Sequence, residues 1–377
     1  MSRTMTSTEA ADCLGVKRAT LYSYVARGLV RAVAEPGGGK RYVAADVFAL
    51  KRRSAAAKGH AAAASVALDW GAPVLSTAIS AVDRDGPSYR GRSAWTLAER
   101  DTPFEEVARG LWHGFGDDPS PFAVADSDWI DAVARVGPSD VPRALRLAAA
   151  LADAEAPEPL LDGLVQSVGC VRGHGRDPGG SVAERLLAIH GLDLRWRWLV
   201  DRALVLCADH ELNASTFAAR VAASTGASLA DALMSALGAF FGPRHGAQVP
   251  GVAALVAEAG TDPAAAARTQ VQEGRLRGFG HPLYPDGDPR AEALLGWIRE
   301  QGGLDEVFAW IDGARREGAP PPSVDVGLVA LARAVGGPAG FGMTVFALGR
   351  AAGWMAHARE QREIPGILRP RARYVGP

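Results

Sequence analysis

Three histidines stand out: His210 in ADHELNAST and, each beside a glycine, His245 in GPRHGA and His281 in GFGHPLYPDGDPRA. Glycine lets backbone approach a ligand closely and leaves amide groups free to donate. An imidazole held there can polarise or protonate a carbonyl, although any single histidine is more often an ordinary packed residue. His60, His113, His174, His190 and His357 lack comparable support and read as structural. Arg290, Arg350, Arg369 and Arg371 read as arginines without an adjacent carboxylate to pair with. Their forks suit carboxylates or phosphates. Asp325, in PPPSVDVGLVALA, is an acid in an apolar, proline-rich context. It is either the N-cap of the following helix or a desolvated carboxylate with a raised pKa, able to act as a base.

These groups need a scaffold, and helix signals supply one. Thr102-Pro103-Phe104-Glu105-Glu106 opens a helix with early acids, and Pro142 opens another. Ser181 to Ile189, Leu194 to Cys207, Ser228 to Phe241, Thr261 to about Gly274, Arg290 to Gln301, Val326 to Val335 and Thr344 to Glu360 continue the pattern. Strand-like alternation is scarce outside the first 53 residues, except over 74–96. The body reads as all-α.

The head reads differently. Thr6 and Glu9 fit a capping box, and Lys17 to Arg27 has helical spacing with Gly28 as its stop. Leu29-Val30 begins a strand, Pro36-Gly37-Gly38-Gly39 makes a hairpin tip, and Lys40 to Val43 returns. Asp46 can cap a last helix ending in Lys51-Arg52-Arg53. Residues 1–53 thus form a small winged helix-turn-helix domain, and 54–67 an Ala-rich linker. Residues 1–60 hold eleven Lys/Arg and four Asp/Glu, a net +7, against −8 for the rest. A basic head on an acidic body suits an anionic partner. The segment resembles the MerR- or excisionase-like DNA readers. Lys17, Arg18, Arg27, Lys40 and Arg41 are its candidate DNA contacts, and a small interaction or dimerisation module is the alternative.

The chain has 377 residues, 48% hydrophobic and 22% charged, enough for two or three domains with a sizeable core. Cys13, Cys170 and Cys207 show no CxxC or zinc-type spacing and read as reduced thiols, with no metal site implied. The polar start lacks a signal-type apolar run, and no stretch reaches the length of a membrane span. A cytoplasmic protein, off the membrane, is expected.

From ADHELNASTFAARVAAST through GPRHGA, GFGHPLYPDGDPRA, SVDVGL and FALGRAAGWMAHARE to RPRARYVGP, six ordered blocks resemble the citrate synthase family, which includes 2-methylcitrate synthases. The resemblance covers roughly 74–377. It implies an all-α enzyme that condenses acetyl-CoA, or propionyl-CoA, with oxaloacetate, the acyl-CoA being substrate and no cofactor being needed. It implies catalytic roles for His245, His281 and Asp325. It implies oxaloacetate binding by His210, Arg290, Arg350 and Arg369, the last reaching across a homodimer, and CoA binding by the loop Leu276, Arg277, Gly278, Phe279 and Gly280. It further implies a large domain of 68–247 with 336–377, and a small mobile one of 248–335. Pro285 stands where a basic residue often helps hold CoA phosphates, which would pass that job to Arg275 or Arg277.

Overall fold

Side chains at helix starts set much of the chain's course. Thr6 and Glu9 close the expected capping box: the Thr6 N–H donates to Glu9 Oε2 at 2.7 Å and the Glu9 N–H to Thr6 Oγ1 at 3.2 Å. The computed structural model describes residues 4–14, 16–34, 40–44, 46–47, 50, 75–116, 122, 127–171, 179–370 and 374. The linker 54–67, the tip 36–39, His60, His174, Lys51 to Arg53 and Arg371 lie outside these. The chain divides into two units, Met1–Ser76 and Thr77–Pro377.

In the first unit, α1 (Ser7–Leu14) and α2 (Arg18–Ala26) accompany three short strands, β1 (Thr4–Met5), β2 (Ala32–Ala34) and β3 (Lys40–Val43). The sheet is antiparallel in the order β1-β3-β2, with Thr4 opposite Val43 and Ala32 opposite Tyr42. Ala10, Leu21, Val30, Tyr42 and Val47 form its core. The strand expected from Leu29 begins at Ala32 instead: Gly28 turns the chain at φ +69, and Val30 drops into the core before pairing starts. The Asp46 carboxylate accepts from the Arg31 N–H at 2.9 Å and pairs with its guanidinium.

The second unit opens with an antiparallel sheet of β4 (Ser80–Asp83), β5 (Gly86–Tyr89) and β6 (Arg92–Ser93), where strand-like alternation was expected. Helices follow: α3 (Ala94–Glu99), α4 (Phe104–His113), α5 (Ser127–Val136), α6 (Val141–Leu151), α7 (Pro157–Val171), α8 (Val182–Ile189), α9 (Arg197–Cys207), α10 (Ala214–Ser224), α11 (Leu229–Phe240), α12 (Gln248–Ala257), α13 (Pro263–Gln272), α14 (Pro289–Gln301), α15 (Asp305–Arg316), α16 (Val324–Ala334) and α17 (Phe341–Glu363). Ser181 and Glu184 make a second capping box at α8, and Asp140, Ser228 and Asp262 cap α6, α11 and α13.

The core centres on α17, buried almost without interruption from Phe341 to Ala358. It packs on α9, α10 and α11, while α13 packs on α15 and α14 on α16. Two glycines of α17 permit its close approach to the C-terminal end of α9. A Cβ at Gly349 would lie 2.8 Å from the Leu204 carbonyl oxygen, and one at Gly353 would overlap Asp209 and the Ala208 carbonyl. Gly353 N–H instead donates to that carbonyl at 3.0 Å. The three cysteines are free thiols. Among the described residues, no helix is long and apolar enough to cross a membrane.

Candidate active site

Helix termini bring most of the sequence-derived candidates together. His210 follows α9, His245 lies in the turn between α11 and α12, and His281 precedes α14, which begins with Pro289 and Arg290. Asp325 is in the first turn of α16, and Arg350 is in the middle of α17. The rings of His210 and His281 are 5.3 Å apart, nearly perpendicular. His210 feels the charges of Arg290 and Arg350 and the rings of His281 and His245.

Burial and these cations keep the imidazoles neutral. Burial first, then Arg350, depresses His245 to about 4. His281 also falls to about 4, through burial and then Arg290, and burial drives His210 well below its usual value. The Leu283 N–H donates to His281 Nδ1 at 3.2 Å, which leaves the ring proton on Nε2.

Arg350 has the most telling surroundings. It is 1% exposed. Its Nε donates to the Cys207 carbonyl at 2.8 Å, its Nη2 has no partner, and among the described residues no carboxylate pairs with it. A buried cation left this way carries a large desolvation cost, which an anionic ligand would offset. Arg290 departs from expectation. It is not without a carboxylate: its Nε and Nη2 grip Asp288 at 2.9 and 2.8 Å. The same carboxylate accepts the Val324 N–H at 2.9 Å, tying the starts of α14 and α16 together. Arg369 is exposed, beyond the end of α17.

Asp325 is not an N-cap. Ser323 occupies that position, and its hydroxyl donates to Asp325 Oδ2 at 2.9 Å rather than capping the helix. Burial raises the Asp325 pKa, only partly countered by Ser323 and Arg290. A carboxylate of raised pKa held by Ser323 suits proton abstraction.

Behind His245 runs a relay that spacing alone did not reveal. His245 Nε2 and Ser215 Oγ are 2.8 Å apart. The Trp354 indole N–H donates to that hydroxyl at 3.0 Å, and Asn213 Oδ1 lies 2.7 Å from it. Asn213 Oδ1 also caps α10 by accepting from the N–H groups of Ser215 and Thr216, so its Nδ2 points elsewhere and has no partner. Ser215 has one proton to give. Turned to Asn213, it leaves the His245 proton on Nε2; turned to His245, it puts that proton on Nδ1. Tyr284, also unforeseen, is 2% exposed and sits against both His210 and His281. Only its place three residues after His281, in GHPLY, could have pointed to it.

The loop Leu276–Gly280 is strapped to the segment leading to Asp325. Gly280 N–H donates to the Pro321 carbonyl and Ser323 N–H to the Gly278 carbonyl, both at 2.7 Å. Gly278 has φ +80, and a Cβ there would press on Val252 and Val326 at 2.8 Å. Arg275 is paired with Glu273 and Glu258, whereas Arg277 is exposed. In the head, Lys17, Arg27 and Lys40 are exposed. The Arg18 guanidinium donates to the Thr8 hydroxyl, and Arg41 donates to Thr4 Oγ1 and its carbonyl at 3.2 and 3.3 Å.

The all-α body thus gathers neutral imidazoles and an acid at its helix ends around a buried, partly unmatched arginine in the middle of α17. The model of the citrate synthase C-terminal domain matches residues 167–371, and the chain belongs to the citrate synthase family. A helix-turn-helix domain model matches residues 4–53. Citrate synthase 2 of Bacillus subtilis is 36% identical over 188 residues, 47% of this chain and 50% of that protein. The chain thus matches about half the length of its curated relatives. Citrate synthase from Thermotoga maritima shares the fold, with a TM-score of 0.70 at 24% identity, covering 81% of this chain and 94% of that one. So does the ternary complex of Thermoplasma acidophilum citrate synthase with carboxymethyl coenzyme A and oxaloacetate, at TM-score 0.68, 24% identity and the same coverages.

Proposed function

We propose that the body condenses acetyl-CoA with oxaloacetate and hydrolyses the citryl thioester to citrate and CoA. The observation that carries this reading is Arg350: a buried guanidinium with Nη2 unmatched, among neutral histidines and the Arg290–Asp288 pair. A carboxylate oxygen of the substrate supplies the partner that Nη2 lacks. The Thermoplasma relative, whose complex holds oxaloacetate and a CoA analogue, supports the choice of substrates.

Asp325 takes a proton from the methyl group of the thioester. His245, donating to the thioester oxygen, stabilises the enolate. The enolate carbon attacks the oxaloacetate ketone, and His281, protonated on Nε2, hands that proton to the new alkoxide. Water then cleaves the thioester, releasing the thiol. His210, Arg290 and Arg350 hold the dicarboxylate, with Arg369 contributed to the partner subunit's site in a homodimer. Leu276 to Gly280 and Arg277 hold CoA. Residues 248–335 act as the small mobile domain, closing over the substrates against 68–247 and 336–377 to exclude water. No cofactor is needed, and the protein works in the cytoplasm.

Thiol release from acetyl-CoA that requires oxaloacetate tests the reading. Folded protein that releases none from acetyl- or propionyl-CoA would overturn it. A faster turnover of propionyl-CoA would make it a 2-methylcitrate synthase, a difference of one methylene worth about 1–3 kcal/mol.

The helix-turn-helix match and the +7 charge of residues 1–60 favour a second role for the head, binding DNA. The body would then also serve as a sensor of oxaloacetate or acyl-CoA for a transcription regulator. A labelled duplex whose retention weakens with salt and shifts with either ligand tests this.

A further inference from the structure

Helix α2 exposes one continuous strip: Arg18, Ala19, Tyr22, Ser23 and Ala26, with Leu21 fully buried on the other side. Residues spaced one, four, five and eight apart share a helix face. The middle of this strip is uncharged. Its free-standing charge lies at the ends, with Lys17 exposed at the N-cap and Arg27 at the C-cap. Arg18 leans back onto Thr8. At 1.5 Å per residue, Lys17 and Arg27 are separated by about 15 Å, somewhat more than the major groove's width of about 12 Å. The end cations can therefore straddle the groove and meet phosphates on both sides, while the middle faces its floor.

What the middle offers there is two methyl groups (Ala19 and Ala26), one hydroxyl (Ser23) and the half-exposed phenol of Tyr22. None is a bidentate donor of the kind that reads guanine. Small apolar groups and an aromatic ring match the 5-methyl group of thymine, which marks that base in the major groove. On the wing, Lys40 is exposed but Arg41 is committed to Thr4, so the wing adds a phosphate contact rather than a second reader.

We infer that the head recognises thymine-containing duplex DNA through the strip centred on Tyr22, with Lys17, Arg27 and Lys40 holding phosphates. The inference rests on the DNA-binding reading above.

The test uses the full-length protein and a random duplex library, selected near physiological salt. Each thymidine of the enriched motif is then replaced by deoxyuridine, which removes only the methyl group. The expected loss is about fourfold in affinity per contacted methyl. Y22A should abolish the thymine-over-uracil preference while leaving the salt slope unchanged, and A19Q, on the same strip, should do likewise. K17A and R27A should weaken all duplexes alike and reduce the salt slope by about 1 each. Circular dichroism confirms that each variant is folded. A motif indifferent to deoxyuridine, or a preference that survives both Y22A and A19Q, overturns the inference while leaving DNA binding in place. If no duplex is retained at low salt, the DNA-binding reading falls and the inference with it. Condensing activity is read separately by thiol release.

Discussion

The Tyr284 hydroxyl lies 2.8 Å from Nε2 of His210, and the Tyr284 ring centre is 4.9 Å from that of His281. One buried phenol therefore braces both imidazoles. Burial pushes the phenol's pKa up and the imidazole's down, so the bond joins two neutral groups. With the phenol as donor, the proton of His210 sits on Nδ1. Tyr284→Phe should free that ring to turn and to change tautomer. One neutral hydrogen bond is worth about 0.5–1.5 kcal/mol, so KM for oxaloacetate should rise about 3–10-fold while kcat changes less. Steady-state kinetics with oxaloacetate varied would show it, and a kcat loss larger than the KM rise would contradict it.

Asp325→Asn separates turnover from binding. Loss of a general base lowers kcat by about 10²–10⁴-fold, while calorimetric binding of oxaloacetate should be nearly unchanged. The variant should also be more stable at neutral pH. The Asp325 pKa is raised in the folded state, so its favourable contribution exists only when the group is protonated and is lost as pH rises. The stability advantage of the variant should shrink as pH falls, in thermal melts compared across pH.

Arg350→Gln removes the unmatched guanidinium. In the native protein, oxaloacetate should raise Tm, because a ligand that binds only the folded state stabilises it by mass action. In the variant that shift should vanish, and KM for oxaloacetate should rise at least about 100-fold, as expected for loss of a buried charge-assisted contact. A retained shift would show that the dicarboxylate binds elsewhere.

Acid should unfold the body earlier than carboxylate titration alone implies. His245 and His281 are depressed to about 4, against about 6.5 in an unfolded chain. Between these values the unfolded chain binds more protons, so stability present above about pH 6.5 is lost as pH falls toward 4. His245→Gln should flatten the fall of Tm over that window relative to the native protein. An unchanged slope would place the His245 titration elsewhere.

His245, His281 and Asp325 were legible because glycine or proline stands close to them in sequence, whereas His210 was legible only through the ADHELNAST block that holds it. The members of the relay were not. Ser215 meets His245 across 30 positions and Trp354 across 139, distances over which no local spacing speaks. Arg290 looked unpaired because Asp288 reads as the start of a helix. It is that, accepting the Arg290 N–H at 3.1 Å, and it also holds the guanidinium of the same residue. The helix Pro157–Val171 contains Pro159, Gly163 and Gly169, residues of low helix propensity. Gly163 is explained only by its neighbour, since a Cβ there would overlap the Trp129 ring. The head read well from sequence, because its capping box, glycine stop and hairpin are all local signals.

The contacts at Gly349 and Gly353 constrain how a duplicated copy of this gene could diverge. Ala208, which receives the Gly353 N–H, stands two residues before His210, and Cys207, against which a Cβ at Gly349 would lie at 3.0 Å, accepts from Arg350. A methyl group at either glycine would pry these helices apart, displacing Arg350 and His210 and weakening the fold together. Asp325 has no such double duty. A descendant that kept only the sensing role could shed Asp325 early while both glycines stayed fixed, so the order in which those positions decay would reveal which role selection had retained.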